Sequence, residues 1–302
     1  MQQANAILGE GPIWDWRSGD LFWVDIRRRH VFRHHLATGQ QTGQWAFKDR
    51  VGCVALTDDP SRVLVAAGLE IHVLELDGGA CVDVAAIDLN AELHRINDGE
   101  VDSAGRLWVG TMMDDFHQPT SFVDGCLHRF DSDGSVIAFR AFDFALPNGI
   151  GWSPDDTHMY VNDSAAGVTY VFDYDAASGT PTNRRVLYQA PEGQGVPDGM
   201  SVDASGNVWC ALWDGWGLIK LSPVGEVLER IDLPVRRPSS ATFCGEALQQ
   251  LAITSATVDF TSEDFAKNPQ SGGLFLMPAG CTGRRPHLFP LGQMPLSRKR
   301  TT

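Results

Sequence analysis

The chain has 302 residues, a hydrophobic fraction of 43% and a formal net charge of −14, enough length to bury a substantial core as one large β-domain or two ordinary ones. Its acidic balance, with only the isolated basic runs Arg27-Arg28-Arg29 and Arg298-Lys299-Arg300, argues against a nucleic-acid partner. No apolar run reaches the roughly 18–20 residues of a membrane helix, and the opening MQQANAILGEGP lacks the basic-then-apolar order of a secretory signal, so a cytoplasmic setting is expected. Six scattered cysteines form no CxxC pair, and three lie in strand-like apolar runs, where buried reduced thiols are the plain expectation.

In chain order, one strand-opening pattern recurs six times. It reads EGPIWD from Glu10, GCVALT from Gly52, NDGEVD from Asn97, NGIGWS from Asn148, DGMSVD from Asp198 and SSATFC from Ser239. An apolar residue stands four positions on: Trp14, Leu56, Val101, Trp152, Val202 and Phe243. A second strand core follows each anchor, at 21–24, 63–66, 107–110, 159–161, 208–211 and 251–254. A third follows at 31–32, 71–74, 126–130, 168–171, 218–221 and 274–277. Gly, Asp, Ser and Pro punctuate the gaps, as in Arg17-Ser18-Gly19-Asp20 and Ser153-Pro154-Asp155-Asp156, which marks short hairpins. An outer fourth strand is expected in each unit, and no stretch shows a convincing helical period. Steps of 42, 45, 51, 50 and 41 residues between anchors are those of β-propeller blades. The expected fold is all-β: a single domain, 1–302, of six four-stranded antiparallel blades around a central channel. The segment before Glu10 is expected to donate a strand to the sixth blade and close the ring. Two insertions break the rhythm, 114–124 (DDFHQPTSFVD) and 257–271 (TVDFTSEDFAKNPQS). Each suits a pocket wall or lid as well as a plain solvent loop.

Equivalent positions in a closed ring face a common centre, so the anchors are the candidate site. Glu10, Asn148 and Asp198 offer two carboxylates and an amide oxygen, hard donors suited to Ca, Mg or Mn that Zn or Fe(II) also accept. Three protein ligands leave coordination positions open, as a catalytic metal requires. Asn or Asp before Gly is also an ordinary turn signal, but repetition at one place in the unit favours a site. Arg95, two residues before Asn97, offers a planar donor fork for substrate oxygens, or else a structural ion pair. Trp213 and Trp216 suit the pocket lining or the core. The nine histidines show no HExxH spacing. Neither a GxSxG elbow nor a phosphate-binding GxxxxGK loop is present, which leaves serine-hydrolase and nucleotide chemistry without support.

LGEGPIWD, RINDGEVDSAGRLWVGTM, LPNGIGWSPD and PDGMSVDASGNVW resemble the regucalcin, gluconolactonase and sugar-lactonase family, in order and over essentially the whole chain. The resemblance implies a six-bladed propeller with one catalytic divalent cation in its channel. It implies Glu10, Asn148 and Asp198 as metal ligands, with Arg95 and Asn97 contacting a sugar-acid lactone. Some members place a further substrate-contacting Glu in the loop after the GTM segment; residues 114–124 contain none. The expected activity is metal-assisted hydrolysis of an aldonolactone of gluconolactone, xylonolactone or arabinonolactone type, with Asp198 as general base. The expected partner is that small molecule, with no nucleic acid or membrane, and the protein a monomer or small homo-oligomer. Two alternatives stay open: phosphotriester hydrolysis at the same metal, and a non-catalytic calcium-binding propeller.

Overall fold

The computed structural model describes residues 4–114 and 124–294. Six antiparallel sheets follow one another along the chain, each from consecutive strands. The first is Gly9–Asp15, Asp20–Asp25, His30–His35 and Gln40–Ala46. The second is Val51–Leu56, Arg62–Ala67, Glu70–Glu75 and Cys81–Ala86. The third is His94–Val101, Leu107–Met113, Gly125–Phe130 and Val136–Phe144. The fourth is Pro147–Trp152, His158–Asp163, Val168–Asp175 and Thr180–Gln189. The fifth is Val196–Val202, Val208–Trp213, Gly217–Leu221 and Val227–Asp232. The sixth is Pro238–Cys244, Gln250–Ser255 and Phe275–Pro278. These are the blades of a six-bladed β-propeller, with the strand cores where the repeat puts them.

Burial follows from the radial arrangement. Inner strands such as Val51–Leu56 and Pro147–Trp152 are buried throughout, because neighbouring blades cover both faces. The outer strand Val227–Asp232 is mostly exposed. Apolar side chains collect between adjacent blades, and the cluster joining Ala252 and Cys244 to Trp14, Leu21 and Trp23 links the sixth blade to the first. All six cysteines are free. Among the described residues no helix is long and apolar enough to cross a membrane.

Every anchor sits at a β-bulge. The ladder between first and second strands slips at Glu10, Gly52, Asn97, Asn148, Asp198 and Ser239, each of which is skipped in the pairing or borders the slip. A bulge turns its residue out of the alternation that would send it into a blade interface. Asn148-Gly149 and Asp198-Gly199 therefore lie inside strands, not in turns, and their glycines serve close approach instead. A Cβ on Gly149 would stand 2.7 Å from the Asp198 carbonyl oxygen, and one on Gly199 2.4 Å from the Cβ of Ser240.

Ring closure differs from the expectation. Among the described residues the sixth sheet has three strands, and the N-terminal segment meets it at one isolated bridge, Leu8 with Ala256. The N–H groups of Ile7 and Leu8 are taken by the buried Asp25 carboxylate (2.9 and 3.3 Å), so they are not available for a ladder. Closure rests instead on the Ser239 hydroxyl donating to the Gly9 carbonyl and on Thr257 donating through N–H and hydroxyl to Ile7 and Ala6. The chain after the sixth sheet then runs to the second and third blades, where Phe289 bridges in parallel to Thr57 of the second and stacks on Phe130 of the third. Within 257–271 the short helix Ser262–Lys267 is held by a Thr261–Asp264 capping box. The interior of the expected 114–124 insertion lies outside the described residues. Its ends are fixed by Arg95 Nε on Asp114 (2.9 Å) and His94 Nε2 beside Asp124 (2.8 Å).

Buried histidines give the fold a pH dependence. Burial pushes His128, whose Nε2 lies 3.2 Å from the Thr111 hydroxyl, down to about 4. Between the ordinary histidine value near 6.5 and that value, the unfolded chain binds more protons than the folded one, so stability falls as pH falls through this window. The expected loss is about 2–3 kcal/mol, and His128→Gln should remove most of it. Urea unfolding at neutral pH and near pH 4.5 measures both; an unchanged acid-side slope in the variant would refute the assignment.

Candidate active site

Glu10, Arg95, Asn97, Asn148 and Asp198 all line one cavity of about 390 Å³ at a mouth of the channel. They come from blades 1, 3, 4 and 5, and all five are less than 9% exposed. The Asn148 amide donates to Asp198 Oδ1 and to the Ser164 hydroxyl, while its Oδ1 accepts from Gly149 N–H. Asp198 is fixed through its backbone: Asn162 Nδ2 donates to its carbonyl oxygen at 2.6 Å. Burial, then the charges of Asp198 and Asp98, hold the Glu10 carboxyl well above the usual carboxylate range. Burial, then Asp98, does the same to Asp198. Below them in the channel, burial raises Asp98 to about 6 and Glu100 to about 7.

This is a surplus of buried carboxyl groups to which, among the described residues, no protein cation is bonded, although the charge of Arg95 acts on Glu10. Arg95 faces the other way. Its Nε donates to Asp114, and its Nη1 to the Asn97 amide oxygen (2.8 Å) and the Ile96 carbonyl (3.1 Å). Asn97 in turn donates to the Pro147 carbonyl at 3.2 Å, so both ends of its amide are engaged and it works as a brace for Arg95. Two uncompensated carboxylates beside an amide form a hard oxygen set, and a divalent cation is the group that fits them. Among the described residues Glu70, His72 and Asp83 also cluster, on the outer strands of blade 2 away from this cavity. There His72 already stands between the two acids, 2.7 Å from Asp83 and 3.8 Å from Glu70.

The cavity wall contains residues that the anchor pattern did not select. Leu8, Leu146, Val196 and Arg237 line it together with Arg95, and all five stand two positions before an anchor. The sixth residue of that ring, Arg50, grips Asp114 from beside Arg95. The same alignment that flags the anchors therefore contains the wall. Trp213 lines the cavity with Arg237 stacked 4.8 Å from its ring centre, whereas Trp216 is 44% exposed. Val258 and Asp259 make the second insertion a cavity wall. Arg27, from the basic run, also lines the cavity, as an exposed residue.

The propeller and its acid-floored cavity define a class: six-bladed proteins built to work on a small ligand at the channel mouth. Residues 8–257 match the SMP-30/Gluconolactonase/LRE-like region, and the chain belongs to that family. Regucalcin of Danio rerio is 33% identical over 93% of this chain and 94% of its own. L-arabinolactonase of Azospirillum brasilense is 33% identical over 89% and 87%. The 6-deoxy-6-sulfogluconolactonase of Pseudomonas putida is 33% identical over 94% and 95%. Among solved structures, a calcium-binding regucalcin from Agrobacterium tumefaciens superposes with a TM-score of 0.86 at 28% identity, covering 94% of each chain.

Proposed function

We propose that this chain is a metal-dependent sugar lactonase, opening an aldonolactone to the aldonic acid. The observation that carries the reading is the pair Glu10 and Asp198, buried with Asn148 at the floor of a sugar-sized cavity with, among the described residues, no protein cation bonded to either carboxyl. Glu10, Asn148 and Asp198 would hold a divalent cation, which when bound supplies Lewis-acid polarisation of a carbonyl oxygen. Asp198 takes a proton from the attacking water, the water oxygen bonds to the lactone carbonyl carbon, and the proton passes to the ring oxygen as the ester bond breaks. Arg95, held by Asp114 and braced by Asn97, presents its free amine edge to ring and hydroxyl oxygens. Two relatives named for sugar lactones support the substrate class, and their different names leave the particular lactone to the cavity walls. Six free cysteines suit a reducing, cytoplasmic setting.

The test is a lactone panel followed by acid release, after chelation and after adding back Ca, Mg, Mn, Zn or Fe(II) one at a time. Chelation should abolish turnover, and one ion should restore it. Turnover indifferent to chelation would remove the metal from the reading; phosphotriester cleavage without lactone cleavage would overturn the substrate class.

A further inference from the structure

Resting on the lactonase reading, we infer that the cavity selects a lactone with a second anionic group remote from the ring carbonyl, a carboxylate, sulfonate or phosphate, and that Arg27 binds that group. The basic run is divided by function. Arg28 is held by Asp25, through its N–H at 3.0 Å and its guanidinium at 3.6 Å, and Arg29 donates to the Lys48 carbonyl at 2.9 Å. Arg27 is exposed, lines the cavity and, among the described residues, makes no ion pair or hydrogen bond.

Its surroundings are cationic. Arg50 and Arg95 share the single carboxylate of Asp114, and the charges of both Arg50 and Arg27 act on Arg95. Among the described residues, three guanidinium groups thus stand against one acid on this wall. Across the cavity the balance differs: Arg236 and Arg237 share Asp214 at 2.8 and 2.6 Å, but Asp264 stands 3.9 Å from Arg236, the Val258 carbonyl accepts from Arg237, and Asp259 adds a further negative charge. The floor is occupied by Glu10 and Asp198, which repel an anion and suit the cation-binding end. Among the described residues, a substrate lying with its carbonyl at the floor therefore meets surplus positive charge only where Arg27 stands. The turn that presents Arg27 is anchored, since the buried Asp25 carboxylate accepts the N–H groups of Ile7, Leu8 and Arg28. A neutral lactone leaves the Arg27 guanidinium fork without a carboxylate-like partner; an anionic one supplies it.

The test measures kcat/KM of the cation-loaded protein for neutral D-gluconolactone, for D-glucarolactone, for 6-phosphogluconolactone and for a 6-sulfonated gluconolactone. At least one anionic lactone should exceed the neutral one, and which of the three leads identifies the source of the charge. Arg27→Gln should lower the anionic-to-neutral ratio about tenfold, an effect that weakens with added salt. Arg29→Gln, on the same turn but facing the Lys48 carbonyl, should keep the ratio. Turnover that favours the neutral lactone with a ratio unmoved by Arg27→Gln overturns the inference alone. Failure of every lactone overturns the lactonase reading and the inference with it.

Discussion

Replacing Asp198 with asparagine should lower lactone turnover about a thousandfold with the propeller intact, the range typical of losing a positioned general base. The side chain is placed by its backbone, which sits in a bulge with its carbonyl held by Asn162 and with Gly199 packed on Ser240. Asparagine has the same shape, so that geometry survives; what it lacks is proton affinity and charge. Because Asp198 also belongs to the proposed ligand set, the measurement needs saturating cation and a separate reading of cation affinity by thermal shift. Glu10→Gln supplies the contrast: it removes a ligand charge and should weaken the cation while recovering turnover when the ion is raised. Asp198→Asn should stay inactive at every ion concentration, with its circular dichroism unchanged. Near-normal turnover at saturating cation would refute the base assignment.

The contrast between what the chain declares and what it conceals has a physical basis. Blade count and strand cores are legible because alternation and turn chemistry are local and repeat six times. The anchors are legible because a ring makes equal positions converge. Their geometry is not, since Asn148-Gly149 and Asp198-Gly199 carry the composition of turns while serving as strand bulges. Only packing against the next inner strand, which leaves no room for a Cβ, separates the two. Ring closure was concealed for a similar reason: Asp25 diverts the Ile7 and Leu8 N–H groups from a ladder by a contact 17 or 18 residues away in sequence. Arg27 was hidden in a basic run whose three members go to three different places. Arg237 was readable in principle, standing before Ser239 as Arg95 stands before Asn97. The Ser262–Lys267 helix is too short to show a period, though its Thr261-x-x-Asp264 cap is written in the sequence.

The largest loss of stability is expected at Asp102, five positions after the Asn97 anchor. Its carboxylate is fully buried and accepts from the N–H groups of Ala104 (3.0 Å) and Arg106 (2.9 Å) and from Arg106 Nε (2.6 Å). It also accepts from the Trp108 indole (3.0 Å) and, across the blade interface, from the Tyr174 hydroxyl (2.6 Å). Asp102→Ala would leave Arg106 Nε, the Trp108 indole and the Tyr174 hydroxyl without their acceptor in the interior, while Arg106 Nη2 keeps the Ala176 carbonyl at 2.7 Å, a loss of about 3–5 kcal/mol. Asp102→Asn keeps one acceptor oxygen and turns an amide donor toward another donor, so its cost should fall between wild type and alanine. Asp203 repeats the arrangement in blade 5, accepting from Ser205 and Asn207 N–H groups and from the Trp209 indole at 3.1 Å. Because the two networks share no residue, Asp102→Asn and Asp203→Asn should add nearly independently. Urea midpoints of the two single variants and the double variant measure this, and a loss below about 1 kcal/mol for Asp102→Ala would show that the network yields to water instead of holding blades 3 and 4 together. The cavity residues Arg95 and Asn97 lie near the start of the inner strand His94–Val101, whereas Asp102 follows its other end. Turnover per folded molecule should therefore change only a few-fold in Asp102→Asn, separating the residue that holds the blades from those that surround the substrate.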